Sequence, residues 1–424
     1  MHTRRAFIGG LAAAAGVAQC APAGAPADKP SPDGLLAGEP VLQAPAPDSM
    51  VVVFAVTALA NGFAEVADNA GMVGASRFTT ERRGPLSRLD DRVLQVTMTG
   101  LKPGVRYWYR VGATRQSYGV GYWRRMDKIH WSSVHSFVTP GESAPSRFGM
   151  MCDTHGDFAQ MARITAKYRE LGVPLVVWNG DVMRSLANTR EELVELCLLP
   201  LHNGGYAADV PIAVTRGNHD FRGTMATRLH EVLVARPTSE RAGRYADLEY
   251  NFAIRMGDIA VIGLDTGEDK PDGNPANAWS SFTPYRRVQA EWLEEQFKRP
   301  EIATAPYVVA AAHIPLVAPY RNANPGTSLE GRESAVWHRE CAEMWGPILT
   351  ANRVQLLLSG HLHRYYFTAA THKRPWAQIV GGGIGRNSYQ TLVDCNVECG
   401  ELVVRVHNTD AGTVVGEHRF KPRC

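Results

Sequence analysis

The pattern of apolar and polar positions changes character once along the body of the chain. Between about residues 38 and 140 the apolar residues fall in short β-branched and aromatic segments, some of them alternating: "SMVVVFAV", "RVLQVTMTG", "VRYWYRVGA" and "VHSFVTP". Segments of this length and residue type form strands, and the Pro and Gly of "GLKPG" supply turn chemistry between two of them. They predict a β-sandwich over 38–140. From about 146 onward, short continuous apolar runs alternate with helical stretches. The runs are "RFGMMCD", "PLVVWNGD", "PIAVTRGNHD", "DIAVIGLDTG", "YVVAAAH" and "VQLLLSGHLH"; the helical stretches are "FAQMARITAKYRELG", "TREELVELCLLPL" and "RRVQAEWLEEQFK". Continuous apolar runs suit strands covered on both faces, so 146–424 is predicted to be a layered α/β domain. Its closing segments, "AQIVGGG", "ELVVRVHN" and "TVVGEHRF", return to strand pattern and are expected to complete a sheet edge.

The N-terminus stands outside this scheme. Residues 1–28 have a basic start, an apolar run from Ala6 to Ala18 and then small residues, the signature of a targeting segment. "TRRAFI", with Arg4 and Arg5 as the pair, resembles a twin-arginine export signal and implies export in the folded state. The expected destinations are the periplasm, the medium or a lipid anchor. The anchor requires lipidation of Cys20 in "VAQC", against the alternative of cleavage in the Ala-rich stretch that follows. Residues 29–37 read as a linker.

With 45 basic and 42 acidic side chains the net charge is only +3, which offers no electrostatic footprint for nucleic acid or an anionic membrane surface. Any anionic substrate must therefore be held locally. No CxxC occurs among the seven cysteines, so a zinc ribbon is not supported. "CNVEC" (395–399) either closes a small loop by a disulfide or carries isolated thiols; Cys152, inside an apolar run, reads as a buried thiol.

The polar residues that directly follow the apolar runs form one regular set: Asp153 and His155, Asp181, Asn218 and His219, His313, and His361 with His363. In α/β sheets ligands collect beyond the carboxyl ends of strands, so residues far apart in sequence can converge there. The paired residues of "DTH" and "HLH" are two apart, a spacing that in extended chain puts both side chains on one face. Apart from His219, two carboxylates, one amide oxygen and four imidazoles make a mixed N/O donor set suited to Zn, Mn or Fe. Seven ligands exceed one ion's needs. With one carboxylate bridging, they divide into two four-ligand sites about 3.5 to 4 Å apart, with room for a water or hydroxide between.

These motifs resemble the calcineurin-like, dinuclear metallophosphoesterase superfamily. "DTH" (153–155), "GD" (180–181), "GNHD" (217–220), "AAHIP" with His313, and "GHLH" (360–363) stand in the family's order. The resemblance implies a four-layer α/β/β/α domain over 146–424 and two divalent or trivalent transition ions. Asp153, His155, Asp181 and His363 would hold one; Asp181 as bridge, Asn218, His313 and His361 would hold the other. It further implies hydrolysis of a small phosphorylated substrate by a dimetal-bound hydroxide. His219 would contact the phosphate and act as general acid, and Asp220 would orient its ring. The front segment, with "GLKPGVRYWYRVG" and "HSFVTP", looks like the fibronectin-III domain of purple acid phosphatases. Two departures stand against that subgroup: purple enzymes have Gly where this chain has His155, and a metal-bound Tyr where it has Arg184.

The fibronectin-like segment favours phosphate monoesters, and His155 favours the wider group that includes phosphodiesterases. A reading of another class is an exported binding protein with a vestigial metal site. A single-zinc amide hydrolase is disfavoured by the surplus of ligands and the absence of HExxH. Arg184 is a candidate for phosphate oxygens or for a surface salt bridge. Asp265 is a candidate brace behind the site or a turn residue, Tyr320 a substrate contact or a solvated loop residue. "GGGIG" (381–385) lacks the ending of a P-loop and is expected to permit a tight backbone passage.

Overall fold

The computed structural model describes residues 34–119, 124–183, 187–198, 205–236, 243–274, 279–320, 336–383 and 390–423. The first part is all β: β1 (Val41–Gln43), β2 (Ser49–Ala55), β3 (Ala60–Ala67), β4 (Ser76–Thr79), β5 (Arg82–Arg83), β6 (Leu86–Ser87), β7 (Val93–Thr99), β8 (Arg106–Tyr118), β9 (Arg124–Trp131) and β10 (His135–Val138). One sheet runs β10-β8-β3-β4, with β9 paired to β8. It packs on β2 and β7: Met50, Val52, Phe54, Leu94 and Val96 meet Ala64, Val66, Tyr109 and Val111 in one core.

The second part alternates strands and helices. They are β11 (Arg147–Met151), α1 (Phe158–Leu171), β12 (Val176–Asn179), α2 (Arg190–Cys197), α3 (Tyr206–Asp209), β13 (Ile212–Thr215), β14 (Phe252–Met256), β15 (Ile259–Leu264), α4 (Phe282–Gln296), α5 (Pro300–Ala303), β16 (Tyr307–Ala312), α6 (Arg339–Ala351), β17 (Leu356–Ser359), β18 (Tyr366–Thr368), β19 (Ala377–Val380), β20 (Thr391–Glu398), β21 (Glu401–Asn408) and β22 (Thr413–Phe420). Two sheets lie face to face, one ordered β14-β15-β16-β17-β19-β18 and the other β22-β21-β20-β11-β12-β13-β1-β2-β7. Period-2 alternation explains why their strands are apolar throughout. In β16, Val309 and Ala311 enter the core between the sheets, while Val308, Ala310 and Ala312 meet Trp292 of α4 and Trp345 of α6 outside. In β12, Val177 faces the second sheet, and Val176 and Trp178 face Met161 and Tyr168 of α1. This is the expected α/β/β/α arrangement, and β20, β21 and β22 complete the edge of the larger sheet.

One feature was not legible in the apolar pattern: the larger sheet runs on into the front segment. β1 pairs in parallel with β13, Gln43 opposite Ile212, and antiparallel with β2. Every residue of β2 is buried because it has a core on each side. Met50, Val52 and Phe54 point into the sandwich, and Val51, Val53 and Ala55 join the core under α1 and α2. The Gln43 side chain staples the junction, donating to Val232 O at 3.0 Å and accepting from Val234 N at 2.6 Å.

α6 is a helix that the sequence reading does not contain, because Gly346 and Pro347 interrupt its pattern. Its buried face is carried by Cys341, Trp345 and Leu349 at four-residue spacing, and the His338 side chain caps its start by accepting from Cys341 N. The described cysteines, Cys152, Cys197, Cys341, Cys395 and Cys399, are all free thiols, so Cys395 and Cys399 do not bridge. Cys20 lies outside the described residues, as does the rest of the targeting segment. Among the described residues no helix is long and apolar enough to cross a membrane.

Polar contacts lock the sandwich onto the layered part. The Tyr109 hydroxyl donates to Ala208 O at 2.8 Å. His135 of β10 stands between Glu39 (Nε2 to Oε2, 3.0 Å) and Asp209 at the end of α3 (Nδ1 to Oδ2, 3.6 Å). Burial pulls the His135 imidazole down, but Asp209 and Glu39 outweigh it and push it up to about 9. The imidazolium therefore contributes stability that is fully present below the ordinary His value near 6.5 and is lost as the pH rises through 9. We expect His135→Gln to lower the urea midpoint by an amount equivalent to about 1–2 kcal/mol at pH 6, with discounting for partial solvent access. The gap between variant and wild type should close by pH 10.

Candidate metal centre

The C-terminal ends of five strands meet along one rim of the two facing sheets. β11 leads to Asp153 and His155, β12 to Asp181, β13 to Asn218 and His219, β16 to His313, and β17 to His361 and His363. β11, β12 and β13 are mutually parallel, as are β16 and β17, so all five runs deliver their last residues in one place.

The local backbone there differs from the extended chain that the two-residue spacing suggested. Asp153, His155, Asp181, His361 and His363 have φ values of 52°, 48°, 51°, 74° and 52°. β11 has ended at Met151 and β17 at Ser359, so left-handed bends, rather than strand alternation, fold both members of each pair over the strand ends. Left-handed backbone at a non-glycine residue costs on the order of 1–3 kcal/mol, and it persists only where surrounding contacts over-determine it. Some of those contacts are visible. Asp153 accepts the His361 N–H at 3.0 Å, and Asp181 Oδ1 accepts the His219 N–H at 2.9 Å. Two glycines make room: a Cβ on Gly217 would lie 2.4 Å from the Asp181 amide nitrogen, and one on Gly382 only 2.1 Å from Asp153 Oδ2. The latter is the tight passage expected of "GGGIG".

The donor atoms fall into two groups. Asp153, His155, Asp181 and His363 form one, Asp181, His313 and His361 the other, with ligand atoms in each lying within 4.8 Å of one another. Asn218 joins the second, its Oδ1 3.0 Å from His361 Nδ1. Asp181 faces both: Oδ1 is 3.3 Å from His313 Nε2, and Oδ2 is 3.7 Å from His155 Nε2.

Several features fit cations at these points. His313 Nδ1 donates to Asn179 O at 2.8 Å, which leaves Nε2 wholly buried, aimed at Asp181 and, among the described residues, without a hydrogen bond. The Nε2 atoms of His155 and His363 face each other at 3.0 Å, an arrangement that neutral lone pairs resist unless a proton or cation lies between them. Electrostatics point the same way. Burial lowers His313, but Asp181 and Asp153 reverse this and lift it to about 10. Burial raises Asp181, yet the surrounding imidazoles of His313, His219 and His155 hold it far below the usual carboxylate range. The carboxylates thus call for positive charge where the imidazole nitrogens converge, and metal ions supply such charge without protonating the ligands.

His219 is at the mouth. Its side chain is 32% exposed, and its ring meets that of His155 edge-on at 4.9 Å. Asp220 is fully buried beneath it, and its carboxylate accepts from backbone: Gly217 N at 2.8 Å, Val182 N at 3.1 Å and Met183 N at 3.3 Å. Those bonds tie the "GD" and "GNHD" loops together, and none reaches the His219 ring. Burial and the adjacent Asp181 charge push Asp220 up to about 7 against the pull of these amides.

Of the other candidates, Asp265 accepts from Arg216 Nε at 2.7 Å and from the Tyr285 hydroxyl at 3.0 Å. Arg216, the residue before Gly217, is flanked by the rings of Phe221 and Tyr250, so the pair braces the motif from behind. Tyr320 is half-exposed and lies 5.7 Å from the Tyr366 ring. Arg184 lies outside the described residues. The sequence reading missed Arg222, whose guanidinium reaches His219 and is gripped by Glu268 and Asp269. Its only signal was its place two residues after "GNHD".

Comparisons with known proteins agree with this geometry. The chain is 24% identical over 284 residues to "Probable purple acid phosphatase 20" of Arabidopsis thaliana, covering 65% of this chain and 55% of the relative. It is 21% identical over 308 residues to "Probable inactive purple acid phosphatase 9" of the same plant, covering 63% and 42%. The chain thus spans about half the length of the curated relatives it matches. The solved structure of a purple acid phosphatase from yellow lupin (Lupinus luteus) seeds superposes with a TM-score of 0.63 at 14% identity, covering 90% of this chain and 74% of that one, a likeness of fold. Residues 146–365 match the model of the calcineurin-like phosphoesterase family. That match takes in half of the chain and every motif from Asp153 to His363, and the chain belongs to the calcineurin-like phosphoesterase family.

Proposed function

We propose that this chain is an exported, metal-dependent hydrolase of phosphate monoesters. Its sandwich (38–140) would be of fibronectin-III type and its catalytic domain would span 146–424. The observation that carries the reading is the pair of donor groups sharing Asp181, with a buried His313 Nε2 that faces Asp181 and Asp153 and, among the described residues, makes no hydrogen bond. Asp153, His155, Asp181 and His363 would hold one ion, and Asp181, Asn218, His313 and His361 the other, with iron, manganese and zinc all suited to such N/O donors. Bound there, two ions supply a water of lowered pKa and neutralise charge building on phosphate oxygens.

The chain's own residues do the rest. The left-handed bends hold the ligands before any ion arrives, so little reorganisation is needed. His219, a third exposed and with its backbone N–H anchored on Asp181, gives a proton from Nε2 to the departing oxygen. Asp220 serves that step indirectly, by fixing the backbone on which His219 stands. A second reading, hydrolysis of phosphodiesters, is supported by one feature: His155 is inside the donor cluster, where the purple-enzyme pattern has glycine. The twin-arginine-like start supports export in the folded state, after metal loading.

Assay of metal-loaded protein on an aryl phosphate monoester and its matching diester decides between the two substrate classes. Turnover of neither would leave the non-catalytic binding protein as the better reading. His219→Ala should lower kcat by about 10²–10⁴ while elemental analysis finds both metals retained; a fully active variant removes the acid role. Asp181→Asn should lose at least one equivalent of metal per chain, and full metal retention would be incompatible with a shared ligand.

A further inference from the structure

Arg222 stands two residues beyond "GNHD", and its guanidinium is held with unusual completeness on one edge. Nε donates to Glu268 Oε2 at 2.9 Å; Nη2 donates to Glu268 Oε1 at 2.7 Å and to Asp269 Oδ1 at 3.1 Å. Glu268 and Asp269 are themselves buried, and Lys270 Nζ, 2.6 Å from Asp269 Oδ1, completes the charge balance. A planar fork gripped in this way cannot turn. The remaining nitrogen, Nη1, points out of the clamp to His219 Nε2 at 3.4 Å, and among the described residues its second N–H finds no acceptor.

This inference rests on the hydrolytic reading above. If His219 is the acid, Nε2 carries a hydrogen when substrate is bound, and two N–H donors cannot satisfy one another. They can share one acceptor: with the nitrogens 3.4 Å apart, a single oxygen fits at hydrogen-bond distance from both. We propose that Arg222 is a catalytic residue that donates from Nη1 to the leaving oxygen alongside His219. Water oxygen forms the new P–O bond as the ester P–O bond breaks; the electron pair of the broken bond goes to the leaving oxygen, the proton for it comes from His219 Nε2, and Arg222 stabilises the developing charge without transferring a proton. A donor directed at charge that appears only in the transition state acts on kcat. Its contribution grows as the leaving group becomes less able to carry negative charge alone.

The test compares metal-loaded wild type with Arg222→Gln on 4-nitrophenyl phosphate, a good leaving group, and phenyl phosphate, a poor one. We expect kcat to fall about 100-fold on phenyl phosphate and less than about 10-fold on the nitrophenyl ester, with KM changed less than about 3-fold. Arg222→Lys, which keeps charge but not the fork, should recover part of the difference. Should Arg222→Gln fail to fold because it strands two buried carboxylates, Arg222→Gln combined with Glu268→Gln restores the balance and carries the same comparison. A loss of equal size on both esters, or one confined to KM, overturns the proposal while leaving the hydrolase reading intact. Wild type inactive on both esters overturns the two together.

Discussion

Asp181 is the point at which the two sheets, the two donor groups and the mobile chemistry of the mouth are joined. One oxygen of its carboxylate accepts the His219 N–H and faces His313 from the second sheet; the other faces His155 from the first. A buried carboxylate in that position is tolerable only while positive charge surrounds it, because desolvation of an unpaired anion costs several kcal/mol. The three imidazoles that hold its pKa down come from three different strand ends. Asp181 therefore needs the whole fold around it, and in return gives the imidazoles a common direction.

The price is visible in the backbone. Five of the residues carrying donor atoms adopt left-handed φ, a conformation L side chains avoid, and glycines stand where any Cβ would strike the carboxylates. Compensation comes from backbone bonds to Asp153, Asp181 and Asp220, and from the interdigitated apolar residues between the sheets. Strain is thus concentrated at the rim, on a mount that is close-packed and hydrogen-bonded. That division leaves the donors preformed and the side chains of His219 and Arg222, each about a third exposed, to meet what enters.

Much of this was legible in the sequence, for a physical reason. A strand that must be buried on both faces has to be apolar at every position, so the first polar residue after it marks the strand end. Reading "VVAAAH" in that way places His313 without knowledge of the fold, and in "VVWNGD" Asn179 marks the end of β12 two residues before Asp181. What was not legible depends on contacts between distant segments. The bends at Asp153 and His361 follow from turns that spacing alone misdescribes, and the Asp220 bonds go to backbone amides that carry no residue identity. Arg222 gains its setting from Glu268 and Asp269, which lie far from it in the sequence. α6 was hidden because Gly346 and Pro347 mask its periodicity, although Cys341, Trp345 and Leu349 keep its buried face.

The shared wall formed by β2 ties the order of synthesis to the order of folding. β1 and β2 leave the ribosome early and can pair with each other, yet the far edge of β1 has no partner until β13 has been made, and until then Val51, Val53 and Ala55 have no core to enter. Contacts between segments so far apart form slowly, because the intervening loop must be closed before they reward the chain. The front segment accordingly completes its contacts late in the assembly of the molecule, and the nascent chain carries an apolar strand with an open edge until the middle of the chain has been made.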